Sequence, residues 1–273
     1  MPELPEVEVT RLGIAPYING NTITRITVYN PDLRLQVPDK ISAKISGQKI
    51  NNITRCSRYL LLNMKAGTLI MHLGMTGNIN ILSKPAKPGK HDIFDIVFKD
   101  RTILRYNDVR RFGMIIWTDA DPHKHRFLKD IGPDPLTAGF NGGYLFQKSR
   151  NRKVPVKQLI MNSRIVAGIG NIYANESLFI SKIHPLTPSG KLSKKSGDRL
   201  ACTIKKVLKK AVKNGAKIMG FKPDKEWGGY FPQKLKVYQR EGKECSVCKR
   251  TIERIVIGQR STFFCSTCQK QIS

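Results

Sequence analysis

Four cysteines near the C-terminus have the spacing of a metal site. In the pattern C-x2-C-x16-C-x2-C, they are Cys245, Cys248, Cys265 and Cys268. Two close pairs place thiolates on two knuckles, and the segment between the pairs can form a hairpin that brings the knuckles together. We therefore predict one structural Zn2+ with four thiolate ligands, which leaves no coordination position for a catalytic water. A redox C-x-x-C motif is the alternative, and the doubled spacing disfavours it.

The start of the chain carries a possible nucleophile. Removal of Met1 would leave the secondary amine of Pro2 as the terminus, and a helix that begins here would lower the pKa of that amine through its positive end. A neutral amine can form an iminium with a sugar C1′. Glu3 and Glu6 share a helix face, so they could supply an acid and a base. On these residues alone, an ordinary helix start rich in proline and acids is the favoured interpretation.

Two short motifs fall at predicted strand ends, namely HLGM at residues 72–75 and DVRRFG at residues 108–113. Their side chains Met75, Arg110 and Phe112 could enter a nucleic-acid duplex as a wedge. Taken separately, Met75 and Phe112 are more typical of core residues. His72 is likewise more typical of a hydrogen-bonded core histidine than of a ligand.

Two turns could approach a phosphate. The glycines at residues 168–170 permit close backbone approach, and Asn171 is predicted to cap the helix that follows, whose free N–H groups favour an anion. Between the two cysteine pairs, a turn at residues 258–260 projects Arg260. The alternatives are a tight structural turn and a solvated arginine.

The charge of the chain is consistent with a polyanionic partner. Its 273 residues include 48 Lys+Arg and 20 Asp+Glu, for a formal net charge of +28. The 40% hydrophobic content indicates a folded protein rather than a disordered basic tail. No run approaches the roughly 18 apolar residues of a membrane span, and residues 1–8 lack the apolar segment of a secretory signal. We therefore expect a cytoplasmic protein.

The elements that position these residues change in type along the chain. The predicted strands are residues 23–29, 50–62, 68–82, 92–98 and 102–117, which would pack as an antiparallel sandwich or a flattened barrel. Beyond the proline-rich stretch at residues 132–135 the period is helical, with helices predicted at 154–163, at 172–181 and around 200–211, the last ended by Asn214-Gly215. The predicted class is α+β, with a strand-rich domain at 1–134, a helical domain at 135–233 and a zinc-finger domain at 234–273.

The order of the motifs PELPEVE, HLGM, DVRRFG, IGPDPL and GIGNIYANE before a four-cysteine finger resembles that of formamidopyrimidine-DNA glycosylases over nearly the whole chain. The resemblance implies a β-sandwich, a helix-two-turn-helix domain and a zinc finger. It also implies a monomeric, bifunctional enzyme that acts on double-stranded DNA. Such an enzyme removes oxidised purines (formamidopyrimidine and 8-oxoguanine) and then cleaves the abasic strand by β,δ-elimination.

The resemblance assigns roles to individual residues. Pro2 would attack C1′, Glu3 would protonate the deoxyribose ring oxygen, and Glu6 would assist proton transfer. The triad that fills the gap left by the everted nucleotide would be Met75, Arg110 and Phe112, with Arg110 facing the orphaned cytosine. The residues at or near phosphate-binding positions would be His91, Lys129, Asn171, Tyr238 and Arg260.

The chain departs from the family pattern at two places. Arg58 stands where the family usually has a catalytic lysine, and a guanidinium is not an equivalent group at a crowded site. Residues 216–221 lack the Ser/Thr-rich character of the family's lesion loop, which puts a preference for 8-oxoguanine in question.

Two other functions compete with this interpretation. An endonuclease VIII-like enzyme for oxidised pyrimidines would typically have glycine in place of Leu4. A non-catalytic DNA-binding protein would have no need of Pro2, Glu3 and Glu6 together.

Overall fold

A computed structural model of the chain describes residues 1–220, 222–225 and 229–270. These residues form two compact units. The first contains Met1–Asp130 and Val212–Pro232, and the second contains Ile131–Ala211 and Gln233–Ser273, less the undescribed residues. Strands dominate the first unit and helices the second, so the predicted α+β class is confirmed.

The first unit is built from two four-stranded antiparallel sheets. One sheet has the strand order β1-β6-β7-β5 and the other β2-β3-β4-β8. Branched aliphatic side chains of both sheets form one core with the buried face of the first helix. The helices are α1 (Leu4–Ile18) and α2 (Ile41–Ile45), and the strands are β1 (Ile23–Val28), β2 (Ile50–Cys56), β3 (Tyr59–Met64), β4 (Gly67–His72), β5 (Asn78–Leu82), β6 (Asp92–Phe98), β7 (Ile103–Asn107) and β8 (Met114–Thr118).

Three of the predicted strand runs each divide into two strands. The run at 50–62 breaks at Ser57, which has a φ of 55°, and the run at 68–82 breaks at Gly74, which has a φ of 63°. A left-handed residue reverses the chain although the hydrophobic pattern continues on both sides. The third run, at 102–117, is interrupted by the DVRRFG motif. These turns carry several of the predicted site residues.

The second unit packs helices around its own core and ends in a short hairpin. Its helices are α3 (Gly142–Ser149), α4 (Val156–Met161), α5 (Asn171–Ile180) and α6 (Lys194–Met219), of which residues 212–219 belong to the first unit, and its hairpin strands are β9 (Glu253–Ile257) and β10 (Arg260–Phe264). The core contains apolar residues from all four helices. A smaller cluster, which includes Phe179, Val237 and Phe263, lies under the hairpin.

The predicted stop of α6 at Asn214-Gly215 is wrong, because the helix continues to Met219. Gly215 is buried, and a Cβ at this position would lie 2.5 Å from the ring of Phe231. This glycine therefore serves close packing of an aromatic ring rather than helix termination. Within the described ranges, no helix has the length and apolar character needed to cross a bilayer.

Candidate functional site

Pro2 immediately precedes the first turn of α1. Glu3 is the N-cap residue, its side chain accepts from the backbone N–H of Glu6, and Glu6 Oε2 accepts from the backbone N–H of Glu3 at 2.9 Å. This reciprocal capping box satisfies two N–H groups that a helix start leaves without partners. Pro2, Glu3 and Glu6 are all buried. The structure thus brings Pro2, which follows Met1, and two carboxylates together at the positive end of a helix.

Arg58 lies at this same place, in the turn between β2 and β3. Its Nη1 is 3.6 Å from Met1 Sδ. The turn is held by Arg55, whose Nε donates to Glu8 Oε2 at 2.7 Å and whose Nη1 donates to the carbonyl of Ser57 at 3.0 Å. Burial acts to raise the pKa of Glu8, but hydrogen bonds from Arg11 and Arg55 outweigh it and the net shift is downward. Sequence analysis missed the Glu8–Arg55 ion pair because the two residues are 47 positions apart, although Glu8 ends the PELPEVE motif.

The three wedge candidates lie on two neighbouring loops. Met75 is half-buried between β4 and β5, whereas Arg110 and Phe112 are exposed between β7 and β8. The guanidinium carbon of Arg110 is 4.7 Å from the ring centroid of Phe112, which is a cation–π contact. Since Phe112 is 45% exposed, it is not a core residue.

Asp108 ties these two loops together from a fully buried position. Its carboxylate accepts from Thr76 Oγ1 at 2.6 Å, from the Gly113 N–H at 2.8 Å and from the Tyr106 hydroxyl at 3.2 Å. Thr76 Oγ1 in turn accepts from the Arg110 N–H at 2.9 Å. A buried carboxylate with three donors is strongly fixed in place. The sequence offered one signal for this role, which is that the motif containing Arg110 begins with an acid.

His72 is neutral at the end of β4. Burial, reinforced by the positive charges of Arg58 and Arg34, lowers its pKa to about 4. Its Nδ1 accepts from the Gly74 N–H at 3.0 Å, and its ring lies 4.9 Å from that of Tyr59. The interpretation as a hydrogen-bonded histidine is therefore supported.

The predicted phosphate contacts of the first unit occupy separate places. His91 is half-buried beside a cleft of about 680 Å3, and its carbonyl accepts from the Asp108 N–H at 3.0 Å. The cleft is rich in lysines, which are Lys84, Lys87, Lys90 and Lys225. Lys129 is exposed in the segment after β8 and is not among the residues that line this cleft.

The other three phosphate candidates surround the hairpin of the second unit. Asn171 is the first residue of α5, and its Nδ2 donates to the carbonyl of Ser261 at 2.9 Å. The predicted cap is wrong, because the N-cap position belongs to Gly170 and the side chain of Asn171 is directed to the hairpin. Arg260 is exposed and opens β10 after a turn with two positive φ angles. The ring of Tyr238 packs edge-on against Phe263 at 5.3 Å.

Two buried charges fix that hairpin and the segment before it. The carboxylate of Glu176, on α5, accepts from the backbone N–H groups of Lys236, Val237 and Tyr238 at 2.9–3.0 Å. Lys157, on α4, is 1% exposed, and its Nζ donates to Thr262 Oγ1 at 2.7 Å and to the Ser261 carbonyl at 3.1 Å. Sequence analysis missed both residues, although a charged residue on the apolar face of a helix is the signal that could have found them.

The four cysteines converge as predicted. All four sulfurs lie within 4.8 Å of one another, with Cys245 Sγ 3.9 Å from Cys268 Sγ and Cys248 Sγ 3.4 Å from Cys265 Sγ. Tetrahedral zinc with Zn–S bonds of about 2.3 Å separates its sulfurs by about 3.8 Å. The cluster therefore fits one zinc ion with no open coordination position, as a structural site requires.

Comparison with known proteins is consistent along the whole chain. Residues 1–115 match the formamidopyrimidine-DNA glycosylase N-terminal domain, residues 131–222 match the H2TH domain of these enzymes, and residues 242–271 match the zinc finger found in FPG and IleRS. A formamidopyrimidine-DNA glycosylase of Geotalea uraniireducens is 48% identical over 98% of this chain and 100% of its own length. The chain belongs to the formamidopyrimidine-DNA glycosylase family.

Other members of this family are also close in sequence and in fold. The relative from Hydrogenovibrio crunogenus is 46% identical over 100% of this chain and 98% of its own length. Lactococcus lactis formamidopyrimidine-DNA glycosylase, solved with DNA that contains an abasic site, matches with a TM-score of 0.85 at 32% identity, covering 98% of this chain and 100% of that chain. The same enzyme with DNA that contains an oxidised pyrimidine matches with a TM-score of 0.86 at 32% identity, covering 99% of this chain and 100% of that chain.

We predict that Cys248→Ala abolishes stoichiometric zinc binding and lowers the melting temperature, because the small finger cluster depends on metal for stability. Elemental analysis and thermal unfolding would measure both effects. Cys202→Ala removes an exposed cysteine outside the cluster and is the matched control. Full zinc content in the Cys248 variant would contradict the assignment.

We predict that Asp108→Asn lowers the free energy of unfolding by about 1–3 kcal/mol, because the amide would turn a donor toward groups that are themselves donors. Urea denaturation measures the change. Asp39→Asn, at an exposed position, is the control and should change stability by less than about 0.5 kcal/mol. Equal stability of the two variants would show that Asp108 does not hold the loops.

We predict a pH dependence from His72. Its folded-state pKa of about 4 lies below the ordinary value of 6.5, so between these values the unfolded chain binds the proton and the folded chain does not. Stability should therefore fall as pH decreases from 6.5 to 4, with about 3 kcal/mol due to this residue. In His72→Asn, where Oδ1 can replace Nδ1 as acceptor, the decline should be shallower by that amount. Identical pH profiles would refute this contribution.

Proposed function

We propose that this protein is a base-excision-repair DNA glycosylase that removes oxidised purines and then cleaves the abasic strand as a lyase. The observation that carries the proposal is the buried group of Pro2, Glu3 and Glu6 at the start of α1. Close relatives bear the name of this activity, and the Lactococcus lactis enzyme binds DNA with abasic sites and with oxidised bases. We also propose a cytoplasmic, monomeric protein with domains at 1–134, 135–233 and 234–273.

The chemistry begins once Met1 is removed. The positive end of α1 disfavours the protonated form of the Pro2 amine, which leaves a lone pair for attack on C1′. A new C1′–N bond forms as the bond between C1′ and the damaged base breaks, and the base leaves with the electron pair. Glu3 donates a proton to the ring oxygen, and the sugar opens to an iminium at C1′.

Strand cleavage follows from the iminium. The positive nitrogen acidifies the C2′ protons, so loss of one proton expels the 3′ phosphate, and a second elimination expels the 5′ phosphate. Glu6, which accepts the N–H of Glu3, both orients that residue and lies close enough to assist proton transfer. We keep Arg58 among the catalytic residues and propose that its guanidinium contacts a phosphate beside the everted nucleotide, since an arginine is a poor general acid or base.

The damaged nucleotide must leave the base stack before Pro2 can reach C1′. Eversion costs a few kcal/mol of stacking and pairing, and a wedge of Met75, Arg110 and Phe112 would offset part of that cost by filling the gap. Arg110 would face the orphaned cytosine. Asp108 is the group that would hold both wedge loops in place.

Phosphate contacts would supply most of the affinity for duplex DNA. We assign this role to His91 and Lys129 in the first unit and to Asn171, Tyr238 and Arg260 in the second. The net charge of +28 favours duplex DNA as the partner and makes the affinity fall as the salt concentration rises.

Two features bear on which lesion is removed. Leu4 stands where endonuclease VIII-like enzymes typically have glycine, which disfavours a preference for oxidised pyrimidines. Of the segment at 216–221, residues 216–219 form the last turn of α6, and Phe221 lies outside the described residues.

We predict that a retained Met1 or an N-terminal tag eliminates borohydride trapping on an abasic duplex, because the Pro2 nitrogen is then an amide. A C-terminal tag should have no effect and is the matched control. Pro2→Gly with Met1 removed keeps a primary amine and should reduce trapping without abolishing it. Full trapping by protein with Met1 confirmed by mass spectrometry would exclude Pro2 as the nucleophile.

Cleavage of duplexes that contain formamidopyrimidine, 8-oxoguanine or dihydrouracil tests the lesion class. Preference for dihydrouracil would overturn the assignment to oxidised purines.

A further inference from the structure

Helix α6 carries a row of lysines that the proposed catalysis does not use. Its 26 residues contain nine cations and one acid. Six exposed lysines, here called the α6 lysine stripe, are Lys195, Lys206, Lys209, Lys210, Lys213 and Lys217. In the part of the chain that the structure describes, none of these six amines makes an ion pair.

The stripe occupies one face of the helix. Lys206, Lys210, Lys213 and Lys217 follow each other at steps of four, three and four residues, which places them in line. The buried residues Ile204, Leu208, Ala211 and Gly215 each precede one of these lysines by two positions, which is about 200° around the helix axis. The lysines therefore point directly away from the core. Like charges at this spacing repel each other, so the row of lysines destabilises the helix. These side chains also contribute nothing to packing against the core.

Within the second unit, which holds Lys195, Lys206, Lys209 and Lys210 of the stripe, these lysines lie across the core from the hairpin that carries the proposed phosphate contacts. Helix α5 directs Asn171 and Asn175 to the hairpin and directs Tyr173 and Leu178 into the core that it shares with α6. The core thus lies between the hairpin side of α5 and the inner face of α6. A duplex bound at Asn171 and Arg260 would leave the outer face of α6 free.

We propose that the α6 lysine stripe binds the phosphate backbone of a second duplex DNA segment, without reading its sequence. From Lys195 to Lys217 the helix rises about 33 Å, close to one turn of B-DNA, so its amines can meet phosphates of both strands where the strands cross the facing side of the duplex. Membrane association is disfavoured, because most large apolar side chains of α6 pack in the core and Ile218 alone among those described is exposed. A second contact would keep the protein on DNA while the catalytic site samples another segment.

The test is a bridging assay. A biotinylated abasic-analogue duplex is immobilised and saturated with protein, and capture of a fluorescent, undamaged 30-base-pair duplex is measured at low salt. The stripe variant is Lys206→Gln with Lys209→Gln and Lys210→Gln. The control variant, Lys40→Gln with Lys44→Gln and Lys65→Gln, removes the same charge from exposed positions of the first unit. Glutamine and lysine have similar helix propensities, so α6 is preserved, and melting curves verify this.

We expect wild-type and control proteins to capture the second duplex and the stripe variant to capture roughly tenfold less. Single-turnover cleavage of a lesion duplex should be equal in all three. Absence of bridging by wild type, equal bridging by the stripe variant, or an equal loss in the control would each overturn the proposal. Binding of the stripe to phosphatidylserine vesicles but not to the second duplex would also overturn it. If no protein cleaves the lesion duplex, the proposed catalysis fails, while bridging between two undamaged duplexes still tests the stripe.

Discussion

The reciprocal hydrogen bonds between Glu3 and Glu6 fix the start of α1, and the proposed chemistry depends on that start. Without the capping box, the first residues would have no defined direction, and the Pro2 nitrogen would have no fixed distance to either carboxylate. The same two side chains that cap the helix are the acid and the assisting group of the proposed reaction. The same carboxylates therefore cap the helix and take part in the proposed reaction. This double role explains why buried carboxylates are tolerated at the start of α1.

Elsewhere the molecule uses buried polar groups to hold loops that the core cannot hold. Asp108 joins the two wedge loops, Glu176 orders the segment that leads to the finger, and Lys157 fastens the hairpin to α4. Each group has several partners at hydrogen-bonding distance, so burial of the charge is compensated. The zinc site serves the same purpose at the chain end. The loops and the hairpin that carry the proposed DNA contacts are thereby held in place without large apolar contacts of their own.

The sequence predicted the family and the metal site better than the interactions that hold the loops. The cysteine spacing was sufficient for the zinc site, and motif order was sufficient for the family, because both are local patterns. Asp108 and Glu176 were not recognised, since Thr76, the partner that lets Asp108 join two loops, is 32 residues away and the partners of Glu176 are about 60 residues away. Gly215 was misread as a helix end because a glycine that accommodates a packed ring has the same local signature. The predicted strands had the right hydrophobic pattern, but too few strands were predicted. Single residues with a left-handed backbone conformation divide runs whose hydrophobic pattern is continuous.

The central claim is that the chain-terminal proline forms the covalent intermediate. The most direct measurement is peptide mapping of the borohydride-trapped complex, with nuclease and trypsin digestion followed by mass spectrometry to locate the residue that carries the deoxyribose remnant. The account predicts that the remnant is on the N-terminal peptide, at Pro2, in protein that has lost Met1. A remnant on any lysine-containing internal peptide, with the N-terminal peptide unmodified, would contradict it.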